Sequence, residues 1–509
     1  MSSLDTPLGL LKAILSRVPL LLRTAFLHGI RQSPGSGKQD FRTEMTVTIV
    51  RSFITGRRVP VGKQQKGAMR DPGIKGPMWV SKIRIPQPEM DVQEAVVKAI
   101  EELKVGGETY DLPGVGPVEA EWTGYRKGVG KNAPEPDLSE EQKYEELKKE
   151  NGDDTVILYF HGGAYYLMDP CTHRHLVSQI SRRVNAPVFS VRYRLAPQNP
   201  FPAALVDALV AYLYLVAPPP GSLHAPVPPN KIILAGDSAG GNLALVLLQT
   251  LLTLHRSSTS ISFHNASVPI TPPGGVALSS PWCDISRSMP SILTNAVYDF
   301  LPTPSPFSPD EANGAPFQPP PVPADEIWPA SPPRVDYFVN ASAIIHPLVS
   351  PVATPSHLWK DSPPVFISVG EEGLTDEGLV TARRMHDAGV PVVVEQVEGM
   401  PHCFGLMMPG HRASNDFFDS MGSFIRDVVA GTTQNQATGK LKFIAFGSGN
   451  NKEVPLGEIA SHLKDADVDA LLKAAKEWRV EGEKVLVEGT TNKEPTAAND
   501  NVASERARL

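Results

Sequence analysis

A chain of 509 residues is long enough for one large catalytic domain with additions, or for two or three domains of ordinary size. With 41% hydrophobic and 20% charged residues it has the make-up of a globular protein, and a formal net charge of −7 gives no electrostatic case for nucleic acid. Three cysteines without a repeating spacing, Cys171, Cys283 and Cys403, argue against a disulfide framework and fit a reducing compartment.

The first apolar segment runs from Leu8 to Ile30. Lys12, Arg17 and Arg23 interrupt it and Pro19 sits in its middle, so it does not read as a membrane-spanning helix. Met1 to Asp5 carry no basic residues and no clean apolar core follows, so no secretory signal is expected and the protein reads as intracellular. The segment fits a lipophilic helix covering an apolar pocket, a helix in peripheral contact with a membrane, or a core helix. Residues 1–75 are expected to form a helical, partly irregular addition with solvated basic clusters at Arg57-Arg58 and Lys63 to Lys66.

Trp79 to Ile85 alternates apolar and polar residues with period two, and Val118 to Trp122 repeats the pattern, so both are predicted strands. Glu140 to Lys149 is predicted to be an exposed helix or loop. From Thr155 the rhythm changes. Short apolar runs (Val156–Phe160, Val188–Tyr193, Ile232–Ala235, Val276–Leu278, Val365–Val369, Val392–Val394) are separated by helix-length segments (Thr172–Val184, Ala203–Val216, Ala239–Leu254, Asp376–Asp387). Strands alternating with helices predict an α/β fold: a mostly parallel sheet with helices on both faces and loops for chemistry at the strand carboxyl ends.

Three stretches break this rhythm. Pro218 to Pro229 and His255 to Gly275 read as surface loops, and Asp299 to Pro333 is a proline-dense insertion with no helical or strand period, expected to pack no core and to serve as part of a lid or as a passive excursion. The catalytic α/β unit is expected over 76–430. Residues 431–509 read as an extension, with a strand at Leu441–Phe446, a helix at Leu456–Trp478 and a polar tail from Asn492.

The chemistry-bearing stretch is Gly236-Asp237-Ser238-Ala239-Gly240, which follows one apolar run and opens a helix. Glycines flank a serine wherever a sharp strand-to-helix turn leaves no room for a Cβ, and such a turn holds the hydroxyl out above the sheet. One strand–helix unit earlier, His161-Gly162-Gly163-Ala164 follows a strand, and consecutive glycines there let backbone N–H groups point into a cavity. Downstream, Gly370-Glu371-Glu372-Gly373 ends one strand and Met400-Pro401-His402 follows the next, so serine, acid and histidine come in that order. His346, His357 and His386 lie in proline-rich or helical contexts, which leaves His402 as the candidate base. Cys171, His173 and His175 superficially resemble metal ligands, but on a helix positions i, i+2 and i+4 do not share one face.

Together with Tyr193-Arg194-Leu195-Ala196-Pro197 and Ser279-Ser280-Pro281-Trp282, these motifs resemble the hormone-sensitive-lipase-like family of α/β-hydrolases over about Asp153 to Val429. The wider sequence is similar to fungal members acting on acyl or steryl esters. The resemblance implies an α/β-hydrolase fold, an N-terminal helical cap over an acyl pocket, and a serine hydrolase of short-to-medium carboxylic esters that needs no cofactor or metal. It assigns Ser238 as nucleophile, His402 as base, and Gly162, Gly163 and Ala239 N–H groups as the oxyanion hole, with Ala164 in place of the usual third glycine. Counting back from Asp376-Glu377, the triad acid falls on Glu372, where the family has aspartate; Glu371 and Asp376 are the runners-up. Asp237 reads as a turn-stabilising residue. An N-acyl amidase or deacetylase would share the whole apparatus. A non-catalytic small-ligand receptor on the same scaffold, as in plant gibberellin receptors, would lack the histidine.

Overall fold

Val156-Ile157-Leu158-Tyr159-Phe160 is apolar and buried at every position, as a strand must be when both faces of its sheet are covered. In a computed structural model of the chain, describing residues 12, 15–56, 58–152, 154–447 and 450–491, three helices come first: α1 (Val18–Gly29), α2 (Phe41–Ile54) and α3 (Val61–Ala68). There follow β1 (Met78–Ile85), α4 (Asp91–Glu102), β2 (Val118–Tyr125), α5 (Glu140–Asn151), β3 (Val156–Phe160), α6 (Pro170–Val184), β4 (Val188–Arg192) and α7 (Ala203–Val216). Then come β5 (Ile232–Asp237), α8 (Ala239–Arg256), β6 (Ser260–Phe263), β7 (Ala266–Pro269), β8 (Gly275–Ser279), β9 (Val365–Gly370) and α9 (Thr375–Asp387). The chain closes with β10 (Val392–Val397), α10 (Arg412–Ala430), β11 (Lys440–Ile444), β12 (Lys452–Pro455) and α11 (Asp465–Thr491).

Ten strands form one sheet in the order β1-β2-β4-β3-β5-β8-β9-β10-β11-β12. The seven strands from β4 to β11 in that order are mutually parallel, and antiparallel partners close both edges. Pleating sends alternate side chains to opposite faces. Val156, Leu158 and Phe160 join the core that contains α7 and α8, while Ile157 and Tyr159 join α6 and α10 on the other side. Among the described residues no helix is long and apolar enough to cross a membrane.

Two expectations are corrected and one is made definite. Glu140–Lys149 is a helix whose Ser139 and Gln142 form a reciprocal capping box, and it buries Tyr144 and Leu147. Within His255–Gly275 lies a hairpin: β6 and β7 pair Ile261 with Val268 across a two-residue turn, His264-Asn265, with φ values of 46° and 66°. Strands of four residues were too short to show a period. The helix placed at Leu456–Trp478 starts instead at Asp465, because Leu456, Ile459 and Leu463 are buried in an irregular approach.

The proline-dense insertion keeps its irregular backbone but packs: Phe300 and Trp328 are buried, the latter edge-on to Tyr337 with ring centroids 4.6 Å apart. Isolated aromatic anchors do here what periodicity does elsewhere. Residues beyond 430 extend the catalytic sheet, since β11 pairs in parallel with β10. The expected polar tail from Asn492, and Leu8 to Leu11 of the first apolar segment, lie outside the described residues.

Candidate active site

β5 runs into α8 with no loop between them, and Ser238 is the residue at the junction. Its backbone has φ 53° and ψ −121°, a conformation that costs a non-glycine residue on the order of 1–3 kcal/mol. Two bonds hold it there: Ser238 N–H donates to the Ser279 carbonyl at 3.1 Å, and Trp282 N–H donates to the Ser238 carbonyl at 3.0 Å. The glycines are required as anticipated. A Cβ on Gly236 would strike the Gly240 backbone, and one on Gly240 would strike the Phe160 carbonyl of the adjacent strand. Ser238 thus stands half-exposed at the carboxyl end of the sheet.

His402 arrives from the loop after β10. Its Nε2 lies 2.9 Å from Ser238 Oγ and its Nδ1 lies 3.1 Å from Glu372 Oε1. Glu372 is fully buried at the end of β9, and its other oxygen accepts from Ser280 Oγ at 2.8 Å and Gly370 N–H at 3.3 Å. The two runners-up stand elsewhere. Glu371 binds Lys38 Nζ at 2.5 Å and Gly399 N–H at 3.1 Å. Asp376 accepts from Ser291 N–H at 2.8 Å and lies 3.1 Å from His462. Burial opposes the charged form of His402, but the adjacent Glu372 carboxylate outweighs it, and the imidazole pKa is raised from its ordinary value.

Asp237 fills the space beneath the elbow. It is buried, accepting from Tyr159 Oη at 2.5 Å and from Gly162 N–H at 3.1 Å, with His173 Nε2 3.4 Å away. Burial pushes this carboxyl up, yet His173 and Tyr159 prevail and hold it at about 2. His161, stacked on Tyr193 with centroids 4.4 Å apart, is pushed down to about 4 by burial and by His173. The turn-stabilising role expected of Asp237 is the one it has: it ties the elbow to the glycine loop.

That tie corrects the oxyanion assignment. Gly162 N–H is committed to Asp237 and is not free to meet a substrate. Among the described residues, the N–H groups of Gly163, Ala164 and Ala239 donate to no protein acceptor. Gly163 at φ 112° and Ala164 at φ 52° turn the chain sharply between β3 and α6. Gly163 must be glycine, because a Cβ would run into the Leu167 carbonyl. Consecutive glycines announce such a turn without saying which amides it frees.

Three partners of the site were not read from the sequence. Asp299, inside the proline-dense insertion, is buried; its Oδ1 accepts His402 N–H at 3.1 Å and its Oδ2 accepts Gly373 N–H at 2.8 Å. Gln39 Nε2 donates to the Gly399 carbonyl at 2.7 Å. Ser280 also takes Cys403 N–H, at 3.1 Å, and its place in the Ser279–Trp282 motif was the one available clue.

The α/β-hydrolase-fold family model matches residues 157–307 and 323–406. An acetyl-hydrolase of Streptomyces hygroscopicus is 30% identical over 275 residues, covering 54% of this chain and 76% of that protein. The chain belongs to the α/β-hydrolase family. This α/β-hydrolase is also 32% identical over 157 residues to an esterase of Acinetobacter venetianus, covering 31% of this chain and 45% of that one. It is 27% identical over 292 residues to a carboxylesterase/phospholipase of Mycobacterium tuberculosis, covering 56% and 65%. A crystal structure of an esterase from the bacterial hormone-sensitive lipase family superposes with a TM-score of 0.50 at 23% identity, over 77% of this chain and 99% of that one, and shares its fold. The names of these relatives support a carboxylic ester hydrolase.

Proposed function

We propose that this α/β-hydrolase cleaves carboxylic esters through an acyl-enzyme on Ser238, with His402 as general base and acid and Glu372 as the residue that orients it. One observation carries the reading: an unbroken chain of contacts from Ser238 Oγ through both ring nitrogens of His402 to the buried Glu372 carboxylate. His402 Nε2 takes the Ser238 proton as Oγ bonds to the acyl carbon. Glu372 accepts Nδ1–H, fixing the tautomer in which Nε2 is the free base and stabilising the cation that follows.

The carbonyl oxygen, now an oxyanion, is received by the N–H groups of Gly163, Ala164 and Ala239, each donor contributing on the order of 3 kcal/mol. Collapse expels the alcohol, which leaves with the proton held on His402. Water, deprotonated by the same Nε2, then attacks the acyl carbon, and Ser238 regains its proton as the carboxylic acid departs. Glutamate serves here in place of aspartate because the acid orients and need not accept the proton.

Short p-nitrophenyl esters offered to wild type and to Ser238→Ala test this reading. The variant is expected to lose at least about 10⁴-fold in kcat, and a fluorophosphonate probe is expected to label Ser238 alone. Equal turnover by both proteins would remove the proposal. Extending the series to longer acyl chains and steryl acetates then assigns the substrate class.

A further inference from the structure

The first helix of the N-terminal cap is apolar yet has no fully buried residue. No residue of α1 is buried, and its Val18, Leu22 and Phe26 fall along one stripe about a helical turn apart, with Leu22 and Phe26 each 66% exposed. Phe41, Phe53 and Ile54 of α2 are exposed as well. So large a cluster of solvated apolar side chains marks a binding face.

Charge says what covers it. Between Lys12 and Arg70 there are twelve lysines and arginines against two acids, net +10 in a chain whose formal charge is −7, which leaves −17 for the rest. Both acids are engaged: Glu44 is buried against His28 and Ser33, and the part-exposed Asp40 caps α2 and pairs with His411 at 2.8 Å. Lys12, Arg23, Arg31, Arg42, Lys63 and Lys66 are exposed. An exposed apolar stripe flanked by outward cations is the signature of a helix lying in the plane of an anionic lipid interface.

We infer that the α1–α2 pair docks this protein onto an anionic phospholipid surface, with the apolar stripe in the headgroup boundary. The cap is fixed to the catalytic face. Gln39 binds Gly399 in the His402 loop, Lys38 binds Glu371, and Arg51 binds the carbonyls of Ala296 and Asp299. Docking therefore holds the loops that carry Glu371 and His402 close to the lipid surface, where esters too apolar to dissolve reside. The inference goes beyond the proposed chemistry and is measured without it.

The full-length Ser238→Ala protein is sedimented with vesicles of phosphatidylcholine alone and with vesicles containing 30% phosphatidylserine. Binding is expected to the anionic vesicles, to weaken as salt rises, and to fall about tenfold or more in Leu22→Glu/Phe26→Glu and in Arg23→Glu/Arg31→Glu. On the wild-type background the same surface substitutions should leave p-nitrophenyl acetate turnover unchanged, which shows that they fold. No sedimentation with either vesicle, or undiminished binding by both variants, would overturn the inference. So would a stable dimer that dissociates on Leu22→Glu/Phe26→Glu, since a second copy would then own the face. Vesicle binding stands or falls independently of Ser238 chemistry.

Discussion

Asp299 accepts the backbone N–H of His402 at 3.1 Å while its other oxygen accepts Gly373 N–H, one residue beyond Glu372. One buried carboxylate thereby spaces the loop that carries His402 against the loop that carries Glu372. Asp299→Ala takes this acceptor from the buried N–H groups of His402, Gly373 and Phe300, at about 1–3 kcal/mol each. The expected result is a fall in kcat of about 10- to 100-fold with little change in KM, and a Tm lowered by several degrees, read by steady-state kinetics and thermal melting. Asp299→Asn, which keeps one acceptor, should recover part of both.

Neighbouring acids are separated by their partners. Glu372→Gln removes the negative charge beside His402 Nδ1 and is expected to lower kcat by about 10³- to 10⁴-fold, as when a triad carboxylate becomes an amide. Glu371→Ala instead loses Lys38 and Gly399 N–H, and a change of only a few fold is expected. The reverse ranking of kcat would place the acid one residue away.

The pH profile carries the sign of the His402 shift. Neutral Nε2 is the active form, so activity falls as pH drops through the imidazole pKa. Burial opposes protonation, but the Glu372 charge prevails and raises that pKa, so the acid limb of kcat/KM should lie above the ordinary histidine value of about 6.5. In Glu372→Gln burial remains and the raising charge is gone, so the limb should move to lower pH. A limb that stays put would mean another group controls it.

The candidate residues at strand ends were legible because the fold forces them there. Ser238 needs two glycines at fixed offsets, and Glu372 and His402 each follow an apolar run that can only be a buried strand. Gly162 was misassigned since sequence shows that a turn exists but not which amide Asp237 claims. Asp299 lies 103 residues from His402, in a segment without period, where nothing local records a long-range partner. The β6–β7 hairpin and the start of α11 were missed for a related reason: four-residue strands and an irregular apolar approach leave no periodicity to read.

Arg51 holds the carbonyl of Asp299, Arg58 that of Pro321, and Gly62 N–H meets Asp325 at 2.8 Å. From the other end, Trp478 Nε1 binds the Ala315 carbonyl, Arg479 pairs with Asp336, and Glu483 receives the N–H groups of Val335 and Ala341. The family match skips residues 308–322, within this same stretch. The work is thus divided along the chain: the middle carries Ser238, Glu372 and His402 within the family match, while head and tail together brace the insertion that the match skips in part. A change in α2 or α11 would therefore be felt first in the insertion that carries Asp299, far along the sequence from either helix.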